Sequence, residues 1–317
     1  MISYLARRLL QLIAVVFGIA ILTFILIRLI PGDPCRMNRG QFVPMEVVER
    51  CRIEQGLHLP VLQQFIFQLG GLFSGDTIVG QSMVYHQSAM SVIADRLPVT
   101  LLLVGYASTL TVLMGLLIGL GSALKPGSLF DTFMNGAAAT ALTLPSFLIG
   151  TLLILVFSLN LRLFPTSGYS RNFLDNLHRL FLPALTLAIS NGAMLGRVLR
   201  RSMLNVMSAP FILTARAKGI SNRRVFAHHV FRNGLISPVT LLGLQISWLL
   251  SGSVVVETVF ALPGMGSLLV QSVLHRDYAV IQLAAICFAV MVAGVSLLAD
   301  VIYPALDPRV RNEYNVY

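Results

Sequence analysis

Six apolar stretches of this chain are free of Asp, Glu, Lys and Arg, and they leave it few folds to choose from. They run from Leu9 to Ile27, Leu97 to Leu124, Thr132 to Leu161, Leu180 to Gly196, Asn233 to Val256 and Tyr278 to Ala299. Each is close to or above the ~17 to 25 residues with which a helix crosses a bilayer. Strands are the rival reading. A membrane barrel, however, alternates apolar and polar residues over segments of ~10, and these stretches are apolar on every face. The expected fold class is therefore all-α, an integral membrane protein with about six transmembrane helices. Only 11% of the residues are charged, against roughly a quarter in a soluble domain, so a water-soluble fold is excluded.

The first stretch follows Arg7 and Arg8 as a secretory signal would, but it is long and no small-residue cleavage site succeeds it, so a retained helix is expected. With both ends on one side, the segments before Leu9, Lys125 to Asp131, Arg197 to Arg232 and after Ala299 share a compartment. They hold 13 Lys or Arg against 4 Asp or Glu, and the other side holds 10 against 9. The positive-inside rule then puts both termini and a loop at about 197–232 in the cytoplasm, with the stretch at about 31–96 facing outward. Within the outward stretch, Pro44 to Arg50 reads as a short helix. Leu57 to Leu69 has the spacing of an amphipathic helix that would form a small cap over the outer mouth. No further soluble domain fits, so residues 1–317 are expected to make a single membrane domain.

The net charge of +10 invites a nucleic-acid reading. The cations lie beside membrane spans, where cytoplasmic retention and anionic lipid explain them, so no nucleic-acid partner is expected. Cys35 and Cys51 fall in the outward stretch, where the compartment permits a disulfide; two unpaired thiols is the plainer reading. Cys287 lies in the last span as a packing residue. Small residues punctuate the second span at Gly115, Gly119 and Gly121 and the fourth at Ser190, Gly192, Ala193 and Gly196. They let helix backbones approach closely, either within this chain or across to another subunit. Pro145 and Pro183 should bend the third and fourth spans or mark their ends.

Several chemistries lack their residues. An ion-coupled transporter normally keeps an ionisable group inside the membrane, and the six stretches contain none, nor any His. A phosphate-binding loop needs Gly-Lys followed by Ser or Thr, but the two lysines, Lys125 and Lys218, precede Pro126 and Gly219. His-Glu-x-x-His and Gly-x-Ser-x-Gly are both absent. His228 and His229 sit among arginines without metal-ligand spacing. No enzyme, no catalytic residue and no metal or cofactor site is expected in this chain, and its driving force should come from a partner.

The most informative segment is Phe211-Ile212-Leu213-Thr214-Ala215-Arg216-Ala217-Lys218-Gly219-Ile220. It follows Pro210, a residue suited to a first helical turn, places cations at its C-terminal end and stops at a glycine suited to a left-handed cap. This is a short helix outside the membrane. Its alanines leave a slim face for a partner groove, with Arg216 and Lys218 placed to meet acidic groups; a linker helix lying on lipid headgroups is the alternative.

This segment resembles the cytoplasmic loop of binding-protein-dependent ABC import permeases, with Ala215 and Gly219 on its Ala-x-x-x-Gly core. The likeness covers nearly the whole chain and is closest to the first-permease type of the dipeptide, oligopeptide, glutathione and nickel group. It is carried in order by Pro31-Gly32-Asp33-Pro34, Leu182-Pro183-Ala184-Leu185-Thr186-Leu187, Arg197 through Arg201-Ser202-Met203-Leu204 and Ala215 to Gly219. His229 with Arg232-Asn233, Val255-Val256-Glu257 with Val259-Phe260, Pro263-Gly264-Met265-Gly266, Arg276-Asp277-Tyr278 and Asp307-Pro308-Arg309 follow. Where many relatives have a Glu-x-Asp-Tyr type of start, this chain reads Ser208-Ala209-Pro210-Phe211, keeping the aromatic position and losing the acidic ones. Leu213 stands where the broader importer signature is acidic.

The resemblance implies a permease in the bacterial inner membrane that forms half of a translocation pore for di- or oligopeptides. Nickel, a metal chelate or glutathione is the alternative cargo, and a non-transporting membrane scaffold the alternative of a different class. It implies ATPase coupling through Phe211, Thr214, Ala215, Arg216, Ala217, Lys218 and Gly219. The implied partners are a second homologous permease, two ATP-binding subunits that use ATP and Mg, and an extracytoplasmic solute-binding protein.

Overall fold

A computed structural model describes residues 2–29, 35, 44–74, 80–170 and 172–306. The Pro31 to Pro34 and Asp307 to Arg309 motifs lie outside them. In chain order the helices are α1 (Ile2–Leu29), α2 (Met45–Glu54), α3 (Val61–Ser74), α4 (Ala89–Leu124), α5 (Leu129–Thr143), α6 (Ser146–Asn160), α7 (Phe173–Arg179), α8 (Phe181–Met207), α9 (Pro210–Ala217), α10 (Asn222–Val259), α11 (Met265–His275) and α12 (Tyr278–Leu306). Among the described residues the only strand-like feature is an isolated antiparallel bridge between Gln81 and Ser88.

Five helices are long and apolar enough to cross a membrane: the Arg7–Leu29 part of α1, α4, α8, α10 and the Tyr278–Ala299 part of α12. The pair α5 and α6, bent by 110°, makes a sixth if counted as one span. Each falls on one of the six apolar stretches. The bend sits at Pro145, which has no N–H to continue α5; its carbonyl instead accepts from Leu148 and Ile149 at the start of α6. Pro183 lies in the first turn of α8, where no N–H partner is needed. α4 begins at Ala89 and carries Asp95 and Arg96 in its early turns, ahead of the charge-free stretch that starts at Leu97. At 36 residues and 1.5 Å per residue it is ~54 Å long, so it outruns the ~30 Å hydrocarbon layer and has room for charges beyond it.

The helices divide into two compact units, Met1–Leu101 with Leu262–Gly294, and Leu102–Ala261 with Val295–Tyr317. In the first unit, apolar residues of α1, α4, α11 and α12, among them Ala20, Val92, Met265, Leu268 and Val280, form one buried cluster. The chain before α4 is pinned to the α11–α12 corner by Ser82, whose hydroxyl bonds the buried Asp277 carboxylate and accepts from the Tyr85 N–H at 2.9 Å. The Met265 N–H donates to Thr100 Oγ1 at 2.9 Å, fastening the Pro263 to Gly266 motif to α4. Cys35 and Cys51 are joined in a disulfide that packs with Val48 and Leu57.

In the second unit α4 and α8 approach through reciprocal glycines. A Cβ on Gly115 would stand 2.5 Å from Leu195, and one on Gly119 would stand 2.7 Å from Leu199. Across the same seam, Gly192 and Gly196 face Met114 and Ile118 at 2.8 and 2.7 Å. Of the two readings open for these small residues, packing within the chain is the one they serve. Gln245 of α10 donates to the Asn191 carbonyl of α8 at 2.9 Å. The helical run of α10 passes through a π-helical turn at Phe226–Phe231 and a single turn residue at Leu235.

Candidate coupling surface

The segment joining α8 to α10 carries cations on a helix outside the long apolar runs. α8 closes with backbone bonds from Ser208 to Leu204 and from Ala209 to Val206. Ala209 then turns extended (φ −70°, ψ 144°) and offers no side-chain cap to α9. Pro210 takes the first helical position, where its missing N–H costs nothing. That is how α9 starts without an acidic residue or a side-chain cap.

The far end of α9 is closed more tightly. Gly219 lies at φ +79°, its N–H donates to Arg216 O at 2.9 Å, and the Ile220 N–H reaches back to Ala215 O at 3.3 Å. This paired arrangement satisfies two terminal carbonyls and needs a left-handed residue at its corner. Ile220 and Ala215 also join the same apolar cluster, the hydrophobic contact that accompanies such a cap.

α9 is two-faced. Ile212 and Ala215, three residues apart and so on one face, are buried with Ala123, Leu199, Met203 and Val225. Phe211, Leu213, Thr214, Arg216, Ala217, Lys218 and Gly219 are exposed. The expectation that Ala215 belongs to a slim docking face needs correction: it packs inward against the ends of α4 and α8 and anchors the helix. Phe211 and Leu213 are large exposed apolar groups on different flanks of the helix, and Leu213 was not among the expected coupling residues. Arg216 and Lys218 stand at the C-terminal end, where the helix dipole favours cations.

Beside this cluster lies a polar clamp. Ser128 caps α5 by accepting from the Asp131 N–H. The buried Asp131 carboxylate accepts from Gly127 N at 2.9 Å and Asn135 Nδ2 at 2.7 Å, and it takes two bonds from Arg200 of α8, Nε at 2.6 Å and Nη2 at 2.7 Å. The clamp fixes the α4–α5 turn to the stretch of α8 that leads into α9. Sixty-nine residues separate the two partners, and no local pattern in the sequence announces the pair. Replacing Arg200 with Ala should lower the thermal unfolding midpoint of the purified protein, because Asp131 would stay buried without its main partner. Arg200→Lys should restore only part of it, since an ammonium cannot supply two parallel bonds. Equal midpoints for all three forms would refute the clamp.

His228 and His229 sit in the π-turn of α10, and no group of three or more metal-ligating side chains occurs among the described residues.

Comparison with known proteins bears on the whole chain. Residues 115–312 match the family model for the binding-protein-dependent transport system inner membrane component, and residues 1–104 match that for the N-terminal part of such membrane components. A protein of Brucella abortus provisionally named as a peptide transport system permease is 40% identical over 315 residues, covering 98% of this chain and 99% of its own. The oligopeptide transport system permease protein AppB of Bacillus subtilis is 37% identical over 316 residues, with the same shares covered. The glutathione transport system permease protein GsiC of Escherichia coli K12 is 37% identical over 311 residues, again 98% of this chain and 99% of its own. Among solved structures, the crystal structure of an amino acid ABC transporter with histidines shares the fold with a TM-score of 0.55 at 19% identity. It covers 68% of this chain and 94% of that one.

Proposed function

The chain belongs to the family of binding-protein-dependent transport system inner membrane components, and from that premise we propose that it forms half of the pore of a di- or oligopeptide importer, worked through α9 by a separate ATPase. It is a multi-pass inner-membrane permease of an ABC system; the cargo, the particular partners and the direction of each loop are the proposed part. One observation carries the coupling role: α9 leaves Phe211, Leu213 and Arg216 exposed around the sides that are not built into the ends of α4 and α8, where Ile212 and Ala215 pack. A push on Phe211 or Leu213 is therefore delivered to two membrane-spanning helices.

In this assembly a second homologous permease completes the pore, two ATP-binding subunits use ATP and Mg, and an extracytoplasmic binding protein delivers solute. This chain binds neither nucleotide nor metal. Both termini lie in the cytoplasm, together with α9, as the distribution of Lys and Arg supports. Nucleotide must favour one conformation by ~5.5 kcal/mol to swing a balance from 1:99 to 99:1, and that differential affinity resides in the ATPases. Peptide is favoured as cargo by the names of the Brucella and Bacillus relatives. Glutathione is the second reading, on the Escherichia coli relative, and it is itself a tripeptide.

The test is ATP hydrolysis by the reconstituted complex as solute-loaded binding protein is added. Stimulation by peptide-loaded protein, and by neither glutathione nor a nickel complex, is the expected result. Stimulation by one of the other two reassigns the cargo, and a purified assembly that contains no ATPase overturns the importer.

A further inference from the structure

The short helix α3 is built the wrong way round for a helix in water. Two of its three glutamines point inward: Arg28 of α1 donates to Gln64 Oε1 through Nε at 3.0 Å and Nη2 at 2.6 Å, and to the buried Gln68 at 3.4 Å. Gln64 uses its amide on the Leu57 and Leu59 carbonyls, at 3.1 and 2.7 Å. The side left open is Val61, Leu62, Ile66 and Phe67, all exposed, with Gln63 as the one polar side chain among them. A helix with water on its open side shows the reverse pattern.

Its depth is set by α1. The Phe65 ring meets Phe17 edge-on at 6.0 Å and Phe24 at 5.0 Å. Phe17 stands near the middle of the Arg7–Leu29 span, with roughly 15 to 18 Å of helix rise to either end, so Phe65 reaches the level of the hydrocarbon interior. The exposed flank of α1 over these turns is Leu22, Ile25, Leu26 and Leu29, the surface a first span turns to lipid. At 14 residues α3 is ~21 Å long, too short to cross ~30 Å and of the length expected for a re-entrant or interfacial segment. Its helical backbone satisfies its own polar groups. The sequence from Gln55 to Gly75 contains no charged residue.

We propose that α3 is embedded in the bilayer beside α1, with Val61, Leu62, Ile66 and Phe67 against lipid acyl chains, Arg28 holding Gln64 and Gln68 away from them, and Gln63 reaching along the helix towards the headgroups. It is then a seventh membrane-contacting element that enters and leaves on one side. This goes beyond the importer reading and rests only on α1 being a membrane span, so the ATPase assay above can fail without touching it.

Spin labels at Leu62→Cys and Ile66→Cys, in a Cys287→Ser background and in the complex reconstituted with its partner subunits in phospholipid vesicles, test it by collision with oxygen and with a water-soluble nickel chelate. Leu26→Cys supplies the lipid-facing reference and the exposed Lys125→Cys the aqueous one. The expected result is a shift of the collision ratio towards oxygen, as at Leu26. A ratio like that of Lys125 would make α3 a cap in water, and low collision with both reagents would mean that protein, such as the second permease, covers it. Either overturns the proposal. If a cysteine at either position prevents assembly, labels at Val61 and Phe67 decide on the same terms.

Discussion

A valine at Gly219 will cut transport while leaving ATP hydrolysis by the assembled complex running. The corner that closes α9 needs φ +79° at this residue. A β-branched side chain resists that region for steric reasons local to its own backbone, by roughly 1 to 2 kcal/mol. Crowding plays no part, because a Cβ placed there meets nothing within 4 Å. The penalty falls on the bonds from Gly219 to Arg216 and from Ile220 to Ala215, so the end of α9 frays and Ile220 leaves its cluster. A loss of that size changes the population of the closed corner by a factor of about 5 to 30. Solute uptake per ATP hydrolysed should fall by a similar factor. Gly219→Asn, which tolerates a left-handed backbone, should recover much of it. Unchanged coupling in the valine variant would remove α9 from its proposed place in the mechanism.

Enlarging Gly196 will be felt in folding rather than in coupling. Its Cβ would stand 2.7 Å from Ile118 Cβ and 2.8 Å from Cγ2, atoms that cannot swing aside because they sit at the root of a stiff, branched side chain. Gly196→Ala should cost about 1 to 3 kcal/mol through overpacking, and Gly196→Leu should yield little folded protein. Gly136, in α5, has nothing within 4 Å of its Cβ position. Gly136→Ala should therefore be neutral or stabilising by roughly 0.5 to 1 kcal/mol, as a helix-interior glycine replaced by alanine usually is. Thermal unfolding midpoints of the purified protein separate the two. Equal shifts for Gly136→Ala and Gly196→Ala would show that the α4–α8 seam is not closely packed.

The spans were legible because a membrane helix announces itself by one property, the absence of charge over a sufficient length. The ends of α9 were legible for another reason: Pro210 and Gly219 are residues whose backbone limits act locally. What escaped was whatever depends on the third dimension. Ile212 and Ala215 share a face by spacing alone, yet nothing in the sequence says that this face is the one turned inward. Asp131 and Arg200 meet only because the glycine seam sets α8 alongside α4 and α5. The spacing of apolar residues marked the α3 stretch as amphipathic without saying which of its polar groups would be covered. Only the partner, Arg28 on another helix, shows that Gln64 and Gln68 are turned inward. The disulfide lay between these cases, since the compartment permitted it but could not pair the thiols.

The π-turn in α10 answers a question of phase. Buried positions along this run fall at Val225, Val230, Gly234 and Pro238, strides of five, four and four. An unbroken α-helix would have taken four at the first stride as well and carried His229 towards the apolar cluster that holds Val225 and Val230. The wider turn absorbs one residue, leaves His228 exposed and His229 half-buried, and brings the following turn back into register. The basic segment that follows α9 thereby runs into the fifth span with only the turn at Leu235 between them, and a rotation imposed at Asn222 meets that one joint, just ahead of Pro238, rather than a loop.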